Sequence, residues 1–309
     1  MLKKLLMMAL CLTSTPSLAA DKLTVMLDWF VNPDHAPLVV AQEKGFFAEQ
    51  GLTVTLQQPG DPNDPPKLAA AGKVDIALGY QPQLHLQIAE GLPLRRIGTL
   101  IQQPLNTLLV LQDSGITSPA QLKGKKIGYS VGGVEEALLS AILEKHGLTL
   151  KDIKLINVNF SLSPTLLSGQ VDAVIGAYRN FELHQLAKEG RPGRAFFVEN
   201  EGVPAYDELI FLTRTNRTSD PRLPRFFKAL EKAVALIRAD EAGTMALFFK
   251  AYPETNDIVN RAAWADTVPT FAAAMQPLNT KRYESFSRFL AARGLLKKAQ
   301  RAEEVATGL

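Results

Sequence analysis

Aromatic rings, carboxylates and amides are concentrated in five short segments. Each segment lies at the end of a predicted strand or at a point where the chain is predicted to pass from one lobe of the fold to the other. The richest is DWFVNPDH at residues 28–35, which carries an indole, an amide, two carboxylates and an imidazole. The candidate ligand-binding residues from the five segments are Asp28, Trp29, Asn32, His35, Tyr80, Gln81, Gly132, Gly133, Glu135, Tyr178, Asn180, Glu182, Tyr206 and Glu208.

These side chains suit one kind of ligand. Aromatic faces can enclose a flat heteroaromatic ring. A carboxylate can accept a hydrogen bond from an amino group on that ring and favour a protonated ring nitrogen. The combination predicts a site for an aminopyrimidine, and it suits a sulfonate or nitrate poorly because acids repel anions. Gly132 and Gly133 add backbone N–H groups that could hold an anion, although such a turn is also common without a ligand.

Catalytic and metal-binding patterns are not found in the sequence. The four histidines have no metal-ligand spacing, and neither a G-x-S-x-G elbow nor a phosphate-binding P-loop occurs. His85, His146 and His184 lie on predicted helices, where we expect them at the surface. His35 is retained with the segment at residues 28–35.

An internal repeat indicates how these segments are positioned. GKVDIALG at 72–79 and GQVDAVIG at 169–176 each follow a short, proline-started, leucine-rich stretch. Each predicts a helix, a glycine stop and a short buried strand. A second internal similarity pairs residues 43–56 with 144–156, where a helix end, a Gly-Leu turn and a strand are expected. Two related α/β lobes explain both similarities.

The hydrophobic pattern fills in the remaining elements. We expect strands at 23–27, 52–56, 126–129, 155–158, 173–175 and 209–213, helices at 36–50, 81–90 and 135–146, and only helices after Pro221. Alternating strands and helices predict mostly parallel sheets with helices on both faces, and ligands at the carboxyl ends of the strands. Residues 21–105 and 210–309 form the predicted first lobe and 112–205 the second, with crossings near 103–112 and 204–211.

The N-terminus indicates where the protein is located, and the net charge bears on whether it binds nucleic acid. Lys3 and Lys4 precede an apolar run at 5–12, and Ser17-Leu18-Ala19 follows, which is the layout of a secretory signal cleaved after Ala19. Removal of residues 1–19 takes away Cys11, the chain's one cysteine. We therefore expect a periplasmic protein without disulfides. The formal charge of +3 over 309 residues is too weak to indicate a nucleic-acid partner.

Several motifs together resemble a known family. The motifs are LDWFVNPDHAPLVVAQEKGFFAEQG at 27–51, AAGKVDIALGYQP, LKGKKIGY, GAYRNFELHQLAKEGRPGRAF and VPAYDELIF, and the similarity as a whole covers about residues 23–240. They are similar to the exported substrate-binding proteins of thiamine-precursor ABC transporters, which share a fold with eukaryotic thiamine-pyrimidine synthases.

The resemblance implies a two-lobed, type II periplasmic-binding-protein fold that closes on formylaminopyrimidine or hydroxymethylpyrimidine. It further implies a monomer that uses no cofactor and passes its ligand to a permease and, through it, to the ATPase. Trp29 and Tyr178 match aromatic positions that flank the ring, and Glu182 matches an acid that reaches its amino edge. Asn32 and His35 match the motif after the first strand.

The same resemblance leaves alternatives. In the synthase relatives a lysine after the G-K-V-D motif carries pyridoxal phosphate, and a turn matching Gly132 and Gly133 holds a phosphate. Here Gly79 occupies the lysine position, which argues against synthase activity. A binder of sulfonate, taurine or nitrate is the other alternative, and a sensor domain ranks last. Arg179 stands where many binders carry an aromatic residue, so the ligand's identity is left open.

Overall fold

Two five-stranded sheets, each with helices on both faces, organise the chain. The computed structural model describes residues 20–308, so the predicted signal sequence at 1–19 lies outside the described residues. The strands are β1 (Asp21–Met26), β2 (Leu52–Gln57), β3 (Ile76–Gly79), β4 (Leu94–Ile101), β5 (Asn106–Leu111), β6 (Lys126–Tyr129), β7 (Lys154–Asn157), β8 (Ala173–Tyr178), β9 (Gly193–Phe197) and β10 (Leu209–Arg214).

The helices fall between the strands and after the last one. They are α1 (Ala36–Glu43), α2 (Phe46–Glu49), α3 (Pro65–Ala70), α4 (Gln81–Ala89), α5 (Val134–Lys145), α6 (Leu162–Leu167), α7 (Glu182–Lys188), α8 (Arg222–Ala239), α9 (Glu241–Ala251), α10 (Ile258–Thr267), α11 (Thr280–Ala292) and α12 (Ala302–Val305). Within residues 20–308, no helix has the length and apolar character that crossing a membrane requires.

The two sheets have the same topology. The first has the order β2-β1-β3-β10-β4 and the second β7-β6-β8-β5-β9. In each sheet only the fourth strand, β10 or β5, runs antiparallel to its neighbours. That strand is the one that enters from the other lobe, because the chain crosses at 102–105 and again at 198–208. The predicted α/β architecture with two mostly parallel sheets is confirmed.

The repeated G-x-V-D motif has a structural role in both lobes. Gly72 and Gly169 end α3 and α6 with left-handed φ angles of 71° and 72°. Asp75 donates its backbone N–H to the carbonyl of Thr24 at 3.0 Å, and its carboxylate accepts the Thr24 N–H at 2.9 Å. Asp172 makes the same two bonds to Lys126, both at 2.8 Å. The aspartate therefore fixes the strand after the motif beside the central strand, β1 or β6.

The C-terminal helices pack mainly on the first lobe, and α10 also contacts α7 of the second lobe. α8 lies against α1 and α2, where the Phe47 and Phe226 rings stack at 5.4 Å. α11 and α12 contact α4 and β4 on the other face. The helical spacing after Pro221 predicts this region correctly, and its aromatic side chains are buried apart from the half-buried Tyr252, whereas Ile258 and Leu295 are exposed.

Some sequence predictions were wrong in detail. The helix expected at 36–50 is broken at Gly45, whose φ is 71°, into α1 and α2. Residues 106–111, assigned to a crossing, form β5, and neither β4 nor β9 was predicted. His85 is fully buried rather than at the surface, because Gln300 accepts a hydrogen bond from its Nδ1 at 2.7 Å and the C-terminal segment covers it. Burial lowers the pKa of His85 to about 4.

Candidate functional site

A cavity lies between the two sheets, at the carboxyl ends of β1, β3, β6 and β8. The atom-free space within it and in front of it, open solvent included, is about 570 Å³. The lining residues are Asp28, Trp29, Asn32, Asp34, Tyr80, Asn106, Val131, Val134, Glu135, Leu162, Gly176, Tyr178, Phe181, Glu182 and Glu208. Both lobes and the second crossing contribute to this wall.

The loop after β1 fixes the first carboxylate. The Asn32 side chain accepts the Asp34 N–H at 2.8 Å and starts a short 3-10 turn at Pro33–His35. His35 Nδ1 accepts the Asn32 N–H at 3.2 Å, so its Nε2 carries the proton and donates to Asp28 Oδ1 at 3.0 Å. Tyr80 donates its hydroxyl to Asp28 Oδ2 at 3.0 Å. His35 thus lies behind Asp28 and does not line the cavity.

Glu208 joins the two crossings at the floor of the cavity. Its Oε2 accepts the N–H groups of Leu105 at 2.6 Å and Asn106 at 2.9 Å, and the Tyr206 hydroxyl at 3.0 Å. The Tyr178 hydroxyl donates to Oε1 at 3.3 Å. Burial raises the pKa of Glu208 to about 7. A cavity-lining carboxylate is therefore part of the connection between the lobes.

The position of the Glu135 carboxylate depends on Gly176, a glycine of the second repeat. Its Oε2 accepts the Ser130 N–H at 2.6 Å, and its carboxylate lies against Gly176. A Cβ added to Gly176 would be 2.1 Å from Glu135 Oε1, and the φ of Gly176 is 101°. The Gly176 N–H also donates to Asn106 Oδ1 at 3.1 Å. Burial raises the pKa of Glu135 well above its usual value.

Two further carboxylates face each other from opposite lobes. Glu182, at the start of α7, accepts the Tyr178 N–H at 2.6 Å, and burial raises its pKa to about 8. Asp34 Oδ1 accepts from Asn180 Nδ2 at 2.8 Å and from the Thr267 hydroxyl at 3.1 Å. Burial also raises the pKa of Asp34, to about 6. Asn180 belongs to the second lobe, so its bond to Asp34 fastens one lobe to the other.

Aromatic side chains supply the flat surfaces of the site. Trp29, Tyr80, Tyr178 and Phe181 line the cavity. The Trp29 ring meets Phe160 of the second lobe edge-to-face, with 4.6 Å between ring centroids. A ligand held beside Trp29 therefore lies next to an aromatic contact that spans both lobes.

The ionisable side chains with a charge in the lining are all acidic. Five of the lining residues are carboxylates, and none is lysine, arginine or histidine. Arg179, the departure noted in the sequence, pairs with Glu199 at 2.6 and 2.7 Å. Its guanidinium lies 3.9 Å from the Phe197 ring centroid, outside the lining. No group of acids, histidines or cysteines among residues 20–308 is arranged to hold a metal ion.

Eight of the predicted residues line the cavity, and their role in ligand binding stays a prediction. They are Asp28, Trp29, Asn32, Tyr80, Glu135, Tyr178, Glu182 and Glu208. The other six lie beside it: His35, Gln81, Gly132, Gly133, Asn180 and Tyr206. Gln81 accepts the N–H of Asp207 at 2.8 Å, and Tyr206 is fully buried against Glu208.

The backbone N–H donors of the glycine turn after β6 already have hydrogen-bond partners. The Gly132 N–H donates to Asn63 Oδ1 of the first lobe at 2.9 Å, and Asn63 Nδ2 donates to the Ser130 carbonyl at 3.2 Å. The Gly133 N–H donates to the Glu136 carboxylate. The backbone donors expected to hold an anion are therefore satisfied by side chains.

The sequence reasoning missed several lining residues, which are Asp34, Asn106, Val131, Val134, Leu162, Gly176 and Phe181. Asp34 and Phe181 lie inside segments that it did select. Asn106 was missed because β5 was not predicted. The strand-to-helix turn that holds Gly132 also supplies Val131 and Val134, whose apolar side chains gave no chemical signal.

Comparison with known proteins places the chain among thiamine-related sequences. Residues 32–242 match the family described as NMT1/THI5 like. A Haemophilus influenzae protein named for thiamine biosynthesis is 52% identical over 300 residues, covering 97% of this chain and 95% of the relative. The formylaminopyrimidine-binding protein of Halalkalibacterium halodurans is 38% identical over 215 residues, covering 69% and 65%.

Enzymes and other transport proteins are also similar. The 4-amino-5-hydroxymethyl-2-methylpyrimidine phosphate synthase of Uromyces fabae is 31% identical, covering 79% of this chain and 75% of the synthase. Among solved structures, the alkanesulfonate-binding protein of Xanthomonas axonopodis pv. citri has a TM-score of 0.74 at 20% identity, covering 93% and 98%. At that identity the likeness shows the fold alone, and the predicted periplasmic-binding-protein fold is confirmed.

Proposed function

The chain belongs to the NMT1/THI5-like family, and from that premise we propose that it is the solute-binding component of an ABC importer for a thiamine pyrimidine precursor. The ligand is formylaminopyrimidine or hydroxymethylpyrimidine. The protein binds it without chemical change in the periplasm and delivers it to the membrane permease.

One observation carries the proposal: the cavity combines aromatic rings with five carboxylates and has no cationic lining residue. An aminopyrimidine offers a flat ring to the aromatic faces and N–H donors to the carboxylates. Buried carboxylates that already accept backbone or hydroxyl bonds still have lone pairs for such donors. The lining thus matches the flat shape of the ligand and offers acceptors for the hydrogen bonds that the ligand donates.

The predicted contacts follow from where the side chains lie. Trp29 of the first lobe and Tyr178 of the second flank the ring, and Glu182 accepts from its amino edge. A ligand held in this way contacts both lobes, so it stabilises their closed arrangement. A permease that recognises the closed arrangement then receives the protein only when it is loaded.

The transport role has support from outside the cavity. The sequence begins with the pattern of a cleaved secretory signal. The fold is that of solved periplasmic binding proteins, and a relative at 38% identity is named for binding formylaminopyrimidine. Export, a permease partner with its ATPase, and a monomeric state are all parts of the proposal.

A pyridoxal-phosphate-dependent synthase fits the site less well. The cofactor needs a lysine for its aldehyde and donors for its phosphate, but none of the lining residues is lysine or arginine. The N–H groups of Gly132 and Gly133 are bonded to Asn63 and Glu136. The residues present therefore do not fit this cofactor.

An anion binder fits poorly for a different reason. A sulfonate or nitrate in this cavity would face five carboxylates with no lysine, arginine or histidine in the lining. Bringing an anion into such a buried site is opposed by both desolvation and repulsion. Similarity of fold to a sulfonate-binding protein does not offset that cost.

Isothermal titration calorimetry tests the proposal directly. We expect formylaminopyrimidine or hydroxymethylpyrimidine to bind at one site per chain and to raise the melting temperature, with no response to taurine, methanesulfonate or nitrate. Binding of one of these anions without pyrimidine binding would contradict the proposal. A visible absorption band after mixing with pyridoxal phosphate would instead favour the synthase.

A further inference from the structure

We propose that this site accepts its ligand as a cation and that the positive charge allows the two lobes to close. The inference rests on the proposed function, since it concerns the same cavity and specifies the ligand's charge state. The class of ligand is a planar amino-substituted nitrogen heterocycle carrying a proton on a ring nitrogen.

The distribution of the acids over the fold is the first reason. The first lobe contributes Asp28 and Asp34, the second contributes Glu135 and Glu182, and Glu208 lies at the crossing. All are at least nine-tenths buried. When the lobes close, they bring like charges from opposite sides into one water-poor space. Closure of the empty protein therefore costs free energy unless positive charge enters with the ligand.

The hydrogen-bond partners of these acids are neutral. Glu208 and Glu182 accept backbone N–H groups, Asp28 accepts the Tyr80 hydroxyl, and Asp34 accepts an amide and a hydroxyl. Such donors stabilise the ionised carboxylates without supplying a positive charge. Any negative charge that develops in the cavity is therefore left without a cation among the lining residues.

The charged groups on neighbouring elements offset the acids only in part. On the loop after β1, His35 pairs with Asp28 and lowers the pKa of Asp34, but the opposing effect of burial is larger. Before α7, Arg179 lowers the pKa of Glu208 in the same way, but it lies outside the lining and is paired with Glu199. On α5, Glu136 adds another acid beside Glu135. The remaining titratable groups in the lining are the phenols of Tyr80 and Tyr178, which are neutral at physiological pH.

The titration behaviour agrees in direction. Burial raises the pKa of Asp34 to about 6, of Glu208 to about 7 and of Glu182 to about 8, relative to the same groups in water. Opening the lobes would return these groups to water and lower their pKa, so closing without ligand is coupled to proton uptake and is favoured as the pH falls. A cationic ligand supplies the same charge at neutral pH.

The ligand's ring nitrogen is the atom to test. The probes are hydroxymethylpyrimidine and an isostere in which the protonatable ring nitrogen is replaced by C–H. Above the pKa of the free pyrimidine, we expect Kd to rise about tenfold per pH unit and about one proton to be taken up per ligand bound. Calorimetry in two buffers of different ionisation enthalpy measures that proton. The isostere should bind at least tenfold more weakly at pH 7, with little pH dependence.

Two variants distinguish the effect of an acid that lines the cavity from that of an acid on the surface. Glu182→Gln should flatten the pH dependence of Kd, whereas Glu189→Gln, an exposed acid after the same helix, should leave it as in the parent. If Glu182→Gln does not fold, the isostere comparison on the parent protein still decides.

Closure without ligand is measured by small-angle X-ray scattering. We expect the radius of gyration of the ligand-free parent to fall between pH 8 and pH 5, by the amount that hydroxymethylpyrimidine produces at pH 8. A constant radius over that range would overturn the role of charge in closure.

The two proposals can fail separately. Pyrimidine binding with equal affinity for the isostere, or with Kd constant from pH 6 to 9, would overturn the cationic state and leave the proposed function standing. Absence of pyrimidine binding at every pH would overturn both.

Discussion

Replacement of Gly176 by alanine should disturb both the fold and the ligand site. The φ of Gly176 is 101°, and a Cβ there would be 2.1 Å from Glu135 Oε1. A non-glycine residue with positive φ costs about 1–2 kcal/mol. Displacing Glu135 also removes the acceptor of the buried Ser130 N–H, at about 1–3 kcal/mol. Together these predict a loss of about 2–5 kcal/mol in the free energy of unfolding.

Gly169→Ala is the matched control. Gly169 belongs to the same repeat, has a φ of 72°, is exposed, and no atom lies within 4 Å of an added Cβ. It should lose only the about 1–2 kcal/mol of backbone strain and bind pyrimidine as the parent does. Gly176→Ala should bind at least tenfold more weakly, because Glu135 lines the cavity.

Denaturant unfolding and calorimetry of the two variants provide the measurement. The double variant Gly176→Ala/Glu135→Asp, whose shorter side chain leaves room for the methyl group, should be more stable than the sum of the single changes predicts. Additive free energies would refute the steric argument. Parent-like affinity in Gly176→Ala would remove Glu135 from the binding site.

Four further predictions concern ligand contacts and closure. Glu182→Gln should raise the Kd for pyrimidine through loss of a charge-assisted bond, worth about 1.5–3 kcal/mol, and Trp29→Ala should raise it through lost stacking; calorimetry checks both, and unchanged Kd values would remove these residues from the site. Asn180→Ala removes the bonds from the second lobe to Asp34 and Thr267, so the dissociation rate measured by stopped-flow fluorescence should rise while the association rate changes little; an unchanged dissociation rate would contradict the fastening role. Hydroxymethylpyrimidine phosphate should bind far more weakly than the free alcohol, since its phosphate would meet an acidic cavity and a turn whose donors are occupied; equal affinity would contradict this.

The sequence predicted the parts of the fold that local chemistry determines. The G-x-V-D repeats, with glycines in left-handed conformations and aspartates that pair with the central strands, led directly to α3–β3 and α6–β8. β5 was missed because its residues, 106–111, form a short apolar run that was assigned to the crossing, and periodicity alone does not identify such a run as a buried strand.

The site was predicted at the level of segments rather than side chains. His35 and Asn180 lie in the selected segments, but they contact Asp28 and Asp34 instead of lining the cavity. Which side of a loop faces the ligand depends on contacts between lobes that are far apart in sequence. The burial of His85 depends likewise on Gln300, 215 residues away.

The central claim is that the protein captures a thiamine pyrimidine and leaves it unaltered. A direct test incubates the purified protein with an equimolar mixture of formylaminopyrimidine, hydroxymethylpyrimidine, taurine and methanesulfonate. Unbound compounds are removed, and the retained compound is identified by mass spectrometry after denaturation. The account predicts one unmodified pyrimidine per chain. Retention of a sulfonate, of a chemically altered pyrimidine or of none of the four compounds would contradict it.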